Sequence, residues 1–294
     1  MKPFFNRAAI KQAAKSNLKN HYWLSLAVAL LSGMFTGGGI SFGVRFMNID
    51  TTQSNVHGLP ENSGLMAYLI SVFGSRREVY LFFVSIFAGV FVVLLTVSLL
   101  KYYFVGGPLV VGGSRYFINL TKGQARFTNL AYGFANKAPD GYKHVRQSMF
   151  RAMLYIFLWS LLGMVPFALL AVVGAVGLSF VEAHVIIALC VLAACLLMPV
   201  AMIPAIVKSY EYSMIPYLLA EHPEMDRQTV FAASKALTAG HKGDLFVLDL
   251  SFLGWYLLGV LCCGIGTIFV VPYHTASRAQ AYAVLCTLAQ TEDE

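Results

Sequence analysis

The sequence predicts an all-α integral membrane protein with about six transmembrane helices. Of its 294 residues, 58% are hydrophobic and only 12% are charged, where a soluble domain carries about 25% charged residues. The mean hydropathy is +0.68, and a water-soluble fold of this size has nowhere to put so much apolar surface. The apolar residues also come in runs near the ~20 residues that a spanning helix needs.

The first run covers residues 24–44 and follows about twenty basic-to-polar residues. It continues through Gly37-Gly38-Gly39 with no small-residue cleavage site, so it reads as a retained helix rather than a signal peptide. The second, 79–105, is long and almost uninterrupted. The third and fourth are 150–174 and 183–207, and the fifth is 245–263. The sixth, 265–289, is the weakest, because His274, Ser277, Arg278 and Gln280 interrupt it, and it reads as either a full span or a partial, tilted segment.

Lys and Arg in the short connections set the orientation. Residues 1–23 carry Lys2, Arg7, Lys11, Lys15 and Lys19 and no acid, and the connection after the second run is also strongly basic. The connections near 176–182 and 264 have no basic residue. Both termini are therefore expected in the cytoplasm, with residues 46–78 as the one sizeable outer loop. The net charge of +7 follows membrane orientation in this distribution, and nucleic acid is not an expected partner.

The chain reads as one membrane domain, 1–294, containing three related segments at 5–120, 121–220 and 224–290. Each has an interfacial amphipathic helix followed by a hairpin of two spans. A histidine precedes each odd-numbered span: His21, His144 and His241. The even-numbered spans carry Pro108, Pro204 and Pro272, each followed by a serine and a basic residue. A proline there frees a carbonyl from the helical ladder, and a neighbour or water must satisfy it.

Arg7, Lys11, Lys15 and Lys19 recur every fourth residue and form one cationic row, with Asn6 placed to cap the helix. Anionic lipids of the cytoplasmic leaflet are the partner expected for such a row, at ~1 kcal/mol per basic residue. Residues 226–239 predict a second interfacial helix, capped by Asp226 and ended by Gly240, with Val230, Phe231, Ser234 and Leu237 on its packed face. Gly33–Gly37 and Gly39–Gly43 suit close helix approach in the first span.

An ionisable group in a span is a functional candidate by default. Asp249 in the fifth span, Arg278 in the sixth, Lys208 at the end of the fourth and Arg115 after the second are the candidates for ligand binding. Asp249 paired with Arg278 or Lys208 would neutralise both charges. Either that pair only locks spans together, or Arg115, Lys208 and Arg278 converge on an anionic ligand in an inward-open cavity. The three histidines lack the HExxH or H-x-x-x-H spacing of a zinc site. The cysteines Cys190, Cys195, Cys262, Cys263 and Cys286 read as small buried hydrophobes. There is no GxxxxGK[ST], GxGxxG or GxSxG motif. No catalytic residue, metal or cofactor is therefore expected.

The stretch "KSYEYSMIPYLLAEHPEMDRQTVFAASKALTAGHKGDLFVLDLSFLGW" (Lys208 to Trp255), with "GIGTIFVVPY" (Gly264 to Tyr273) and "RAAIKQAAKSNLKNHYW" (Arg7 to Trp23), resembles a bacterial family of integral membrane proteins defined only as domain of unknown function 975. The resemblance runs over essentially the whole chain. It implies a location in the bacterial plasma membrane and supplies no activity or site residues. Three readings of function follow. The leading one is transport or binding of a small or lipid-like ligand in the bundle. The others are a structural or regulatory partner of other membrane components, and an intramembrane enzyme built from scattered residues.

Overall fold

The computed structural model describes residues 5–36, 76–134, 141–177, 183–262 and 264–292, and every regular element among them is helical. Helix α1 spans Arg7–Leu18 and α2 spans Tyr22–Thr36. Helix α3 spans Arg76–Lys101 and passes through a π turn, Tyr102–Gly106, into α4, Gly107–Thr121. A 3-10 segment, Phe127–Gly133, precedes α5, Gly141–Gly177. Then come α6 (Ala183–Glu211), the short α7 (Ile215–Glu221), α8 (Arg227–Thr238), α9 (Lys242–Leu250), α10 (Leu253–Leu261) and α11 (Ile265–Glu292).

Three helical stretches are long and apolar enough to cross a membrane: Leu81–Thr121, Tyr142–Val165 and Lys242–Leu261. The first is 41 residues long, about 60 Å at 1.5 Å per residue, and its two halves differ. Residues 81–98 of α3 are exposed on every side, as suits a helix that is apolar all round and surrounded by hydrocarbon. In α4, by contrast, Pro108, Val111, Gly112, Ser114, Tyr116 and Phe117 are all buried. The second expected span therefore does not stop at residue 105. It turns into the central helix of the core, against which α2, α7 and α11 pack.

Helices α1 and α8 form where the caps predict. Asn6 Oδ1 accepts from the Ala8 and Ala9 amides at 3.1 and 3.3 Å, and Asp226 accepts from the Gln228 amide. Helices α1 and α8 match residue for residue at a constant offset. Ile10, Ala14 and Leu18 are buried on α1, and Val230, Ser234 and Thr238 on α8. His21 and His241 both close the following turn through their amides, onto Leu18 O and Thr238 O. Gly240, with φ of +77°, ends α8 where a side chain would be strained. The middle segment differs. Its polar lead-in, described from Gly141, runs straight into the third apolar run as one helix, α5, and the 3-10 segment stands before it where the other two segments have a lead-in helix.

The three lead-ins share one packing rule: each lies on the hairpin before it, and the first closes on the last. Helix α1 packs on α11, the 3-10 segment on α4, and α8 on α6. The approach of the 3-10 segment is close. A Cβ on Gly112 would overlap the Leu130 carbonyl, and one on Gly133 would overlap that of Pro108. The same neighbours satisfy carbonyls near the prolines. Tyr142 donates to Phe104 O, four residues before Pro108, at 2.8 Å. Tyr22 donates to Phe269 O, three residues before Pro272, at 3.0 Å.

The fifth span is broken into α9 and α10 at Ser251-Phe252. Lys11 of α1 donates to the freed Ser251 carbonyl at 3.3 Å and sits 4.3 Å from the centre of the Phe252 ring. Helices α10 and α11 form a tight hairpin around Gly264, at φ +78°, where a Cβ on Gly259 would come within 2.6 Å of the Thr267 amide. The sixth segment is one continuous helix of 28 residues whose last turns, through Tyr282 and Leu285, are buried in the core. The paired GxxxG glycines beyond residue 36, residues 46–75 of the outer loop, and the Cys190, Cys195 and Cys263 side chains lie outside the described residues.

Candidate functional site

The break in the fifth span brings α9 beside the polar part of α11. Asp249 lies in the last turn of α9. His274 and Arg278, four residues apart on α11, present to it from the same helix face. The Asp249 carboxylate is fully engaged. Oδ1 accepts from His274 Nε2 at 2.8 Å and from Arg278 Nε at 3.0 Å. Oδ2 accepts from the Tyr210 hydroxyl at 2.7 Å and from the Arg278 NH2 group. A carboxylate only accepts, so Nε2 of His274 carries a proton, and Nδ1 hydrogen-bonds with the Tyr256 hydroxyl at 3.0 Å. The network joins α6, α9, α10 and α11, and within it the Asp249 and Arg278 charges pair.

A cavity of about 750 Å³ lies beside this network, between α2, α4, α7, α10 and α11. Arg278, His274 and Tyr256 line it at one level. Toward the Gly264 turn the same two helices contribute Leu257, Val260 and Val271. One end thus presents the Arg278 guanidinium, and the other is mainly apolar, with Thr267 as a polar side chain there. Leu253 and Leu257, on its α10 wall, are also exposed, so the cavity opens toward the apolar surface of the bundle. Its volume falls in the ~300–1,000 Å³ range of small-molecule sites.

The four residues singled out from the sequence do not converge. Asp249 and Arg278 meet, and Arg278 alone of the four lines the cavity. Lys208 pairs instead with Glu211, at 3.1 Å, and Lys242 reaches the same carboxylate at 2.9 Å. Arg115 donates to the Ala220 carbonyl, which lies at the end of α7, and stacks over the Tyr132 ring at 4.8 Å. The Arg115 contact joins two elements, and at Glu211 it is Lys242 of α9 that joins α6 to a second element, Lys208 being on α6 itself. Burial alone would raise the Glu211 carboxyl, but the hydrogen bonds and charges of Lys242 and Lys208 outweigh it and hold the group below its usual range. Ser234 of α8 donates to the Glu211 carbonyl at 2.7 Å, which fixes that interfacial helix to α6.

Sequence reasoning passed over His274, Tyr210 and Tyr256. Neither tyrosine belongs to a motif, and His274 reads as an interruption of the sixth span. Its spacing of four from Arg278 is the signal that places it on the Asp249 face. Among the described residues, no three His, Cys, Asp or Glu side chains are grouped to hold a metal ion.

Comparison with known proteins gives one match. The model of a family described as "Protein of unknown function (DUF975)" matches residues 5–288. No curated protein and no solved structure matches the chain.

Proposed function

The chain belongs to the DUF975 family of proteins of unknown function, and from that premise we propose that it binds an amphiphilic, lipid-like small molecule in the cavity beside the Asp249 network, as a step in its transport or retention. The observation that carries this reading is the cavity's polarity. The guanidinium donors of Arg278 that Asp249 does not take suit a carboxylate or phosphate head. The apolar wall toward the Gly264 turn suits a hydrocarbon tail. The exposed Leu253 and Leu257 give such a ligand a route from the bilayer without crossing water. Six spans with both termini in the cytoplasm of a bacterial cell membrane complete the reading, supported by the three long apolar helices and the basic N-terminal row.

The test is thermal stabilisation of the detergent-purified chain by palmitate and by lysophosphatidylglycerol, since a ligand that binds only the folded state stabilises it by RT ln(1 + [L]/Kd). Both amphiphiles should raise the melting temperature saturably. Val271→Trp, which fills the cavity, should abolish the shift, while Leu261→Trp, on the exposed end of α10, should keep it. Equal stabilisation of wild type and Val271→Trp would refute the site.

A further inference from the structure

A second recess of about 480 Å³ lies between α5, α6 and α8, away from the central cavity. Four cationic side chains line it: Arg151 of α5, Lys208 of α6, and Arg227 and Lys235 of α8, with Glu211 as the one carboxylate. That carboxylate is already shared by Lys208 and by Lys242, which stands outside the recess. Arg151, Arg227 and Lys235 make no ion pair among the described residues. The recess therefore holds a surplus of positive charge that no acid among the described residues neutralises. Its remaining wall is aromatic: Tyr155 packs on Phe231 at 5.8 Å and Tyr212 on Phe231 at 5.4 Å.

Position narrows the ligand. Arg151 and Tyr155 sit where α5 changes from its polar lead-in to its apolar run, and Leu154, Leu158, Leu161 and Leu162 just beyond are exposed. The cations thus stand at the head-group level of the run, with an uncovered apolar track leading away from them. Basic recesses of this kind between membrane helices suit anionic head groups, and guanidinium forks match phosphate oxygens in pairs. We propose that the recess between α5, α6 and α8 is a binding site for the phosphate head group of an anionic lipid, with its chains along the exposed leucines of α5.

The matching of α1 and α8 supports the assignment independently. At the same constant offset Arg7 corresponds to Arg227 and Lys15 to Lys235, and Lys15 likewise lines a recess against the hairpin on which α1 packs, with an apolar floor from Leu258 and Phe269. The same cation on the same helix position thus overlooks a recess twice in the fold.

The experiment is binding of phosphatidic acid to the full chain in neutral-lipid nanodiscs, with phosphatidylcholine discs as the blank. Wild type should retain phosphatidic acid saturably. Arg227→Gln with Lys235→Gln should lower its apparent affinity at least tenfold, while the exposed Arg126→Gln, paired with the exposed Lys101→Gln to remove the same charge, should change it less than threefold. Both doubles must elute as monodisperse protein, and Arg151→Gln alone, a smaller perturbation, should lower affinity in the same direction. Equal loss in the two doubles would overturn the site, reducing it to general surface charge. Displacement of the lipid by equimolar inorganic phosphate would overturn the lipid assignment in favour of a free phosphate anion.

Discussion

Replacing Asp249 by asparagine removes the charge on which four donors converge. The amide retains one acceptor oxygen but turns its two N–H groups either toward the His274 and Arg278 Nε donors or toward the Tyr210 hydroxyl and the Arg278 NH2 group. Removing one partner of a buried ion pair costs about 3–5 kcal/mol. Here the Asp249 side chain is 17% exposed and that of Arg278 33%, so water partly solvates the abandoned guanidinium, and about 2–3 kcal/mol is the scaled expectation. At roughly 2–4 °C per kcal/mol for chains of this size, the melting temperature should fall by about 5–10 °C. The assay is thermal unfolding of detergent-solubilised protein followed by size-exclusion fluorescence. Arg278→Gln should show a similar loss, since it leaves Asp249 with only His274 and Tyr210. The double variant should lose less than the sum, because each single change already breaks the same pair. A melting temperature for Asp249→Asn within about 1 °C of wild type, or strict additivity in the double, would refute the claim that this network holds α6, α9 and α11 together.

Other consequences are smaller or more local. Glu211→Gln leaves Lys208 and Lys242 facing a neutral amide at a site only 5% exposed, and should destabilise by about 2–4 kcal/mol at neutral pH. Because Glu211 is held below its usual value near 4.5, its contribution is present above that value and fades as pH falls through the folded one. The gap in melting temperature between wild type and Glu211→Gln should therefore narrow from pH 7 to pH 4, and a gap that widens would contradict the assignment. Gly112→Ala should cost ~2 kcal/mol or more, because the Leu130 carbonyl occupies the space, and thermal unfolding unchanged from wild type would show that this contact is not tight. Asn6→Ala should weaken α1 by ~1 kcal/mol, read as faster amide exchange at Ala8 and Ala9, while the exposed Ser16→Ala should leave those amides unchanged.

Parts of this architecture were legible because they depend on local chemistry. The caps at Asn6 and Asp226 and the left-handed Gly240 are set within single turns, and α1 and α8 form where those residues place them. The Asp249–Arg278 pair was legible as well, since two opposite charges in apolar segments seldom stay apart. What depends on tertiary packing was hidden. The apolar run of α3 gives no sign that the chain continues past Pro108 as a buried helix. That continuation requires the Tyr142 hydroxyl on Phe104 O, a contact made from a distant lead-in. The break at Ser251-Phe252 is equally silent in an apolar stretch, because Lys11 on α1 stabilises it from the far end of the chain. Lys208 and Arg115 drew attention as partners for Asp249 or for an anionic ligand, yet Lys208 is spent on Glu211 one turn along its own helix and Arg115 on the Ala220 carbonyl. A backbone carbonyl in a short helix leaves no mark in composition.

The most direct test of the central claim is native mass spectrometry of the chain released from mild detergent, with wild type and Val271→Trp prepared side by side. The account predicts one co-purified amphiphile per wild-type chain, with an anionic head and a hydrocarbon tail, and its loss in Val271→Trp while lipid held elsewhere on the surface is unchanged. The same bound amphiphile at the same occupancy in both proteins would contradict a ligand in the cavity beside Asp249, His274 and Arg278.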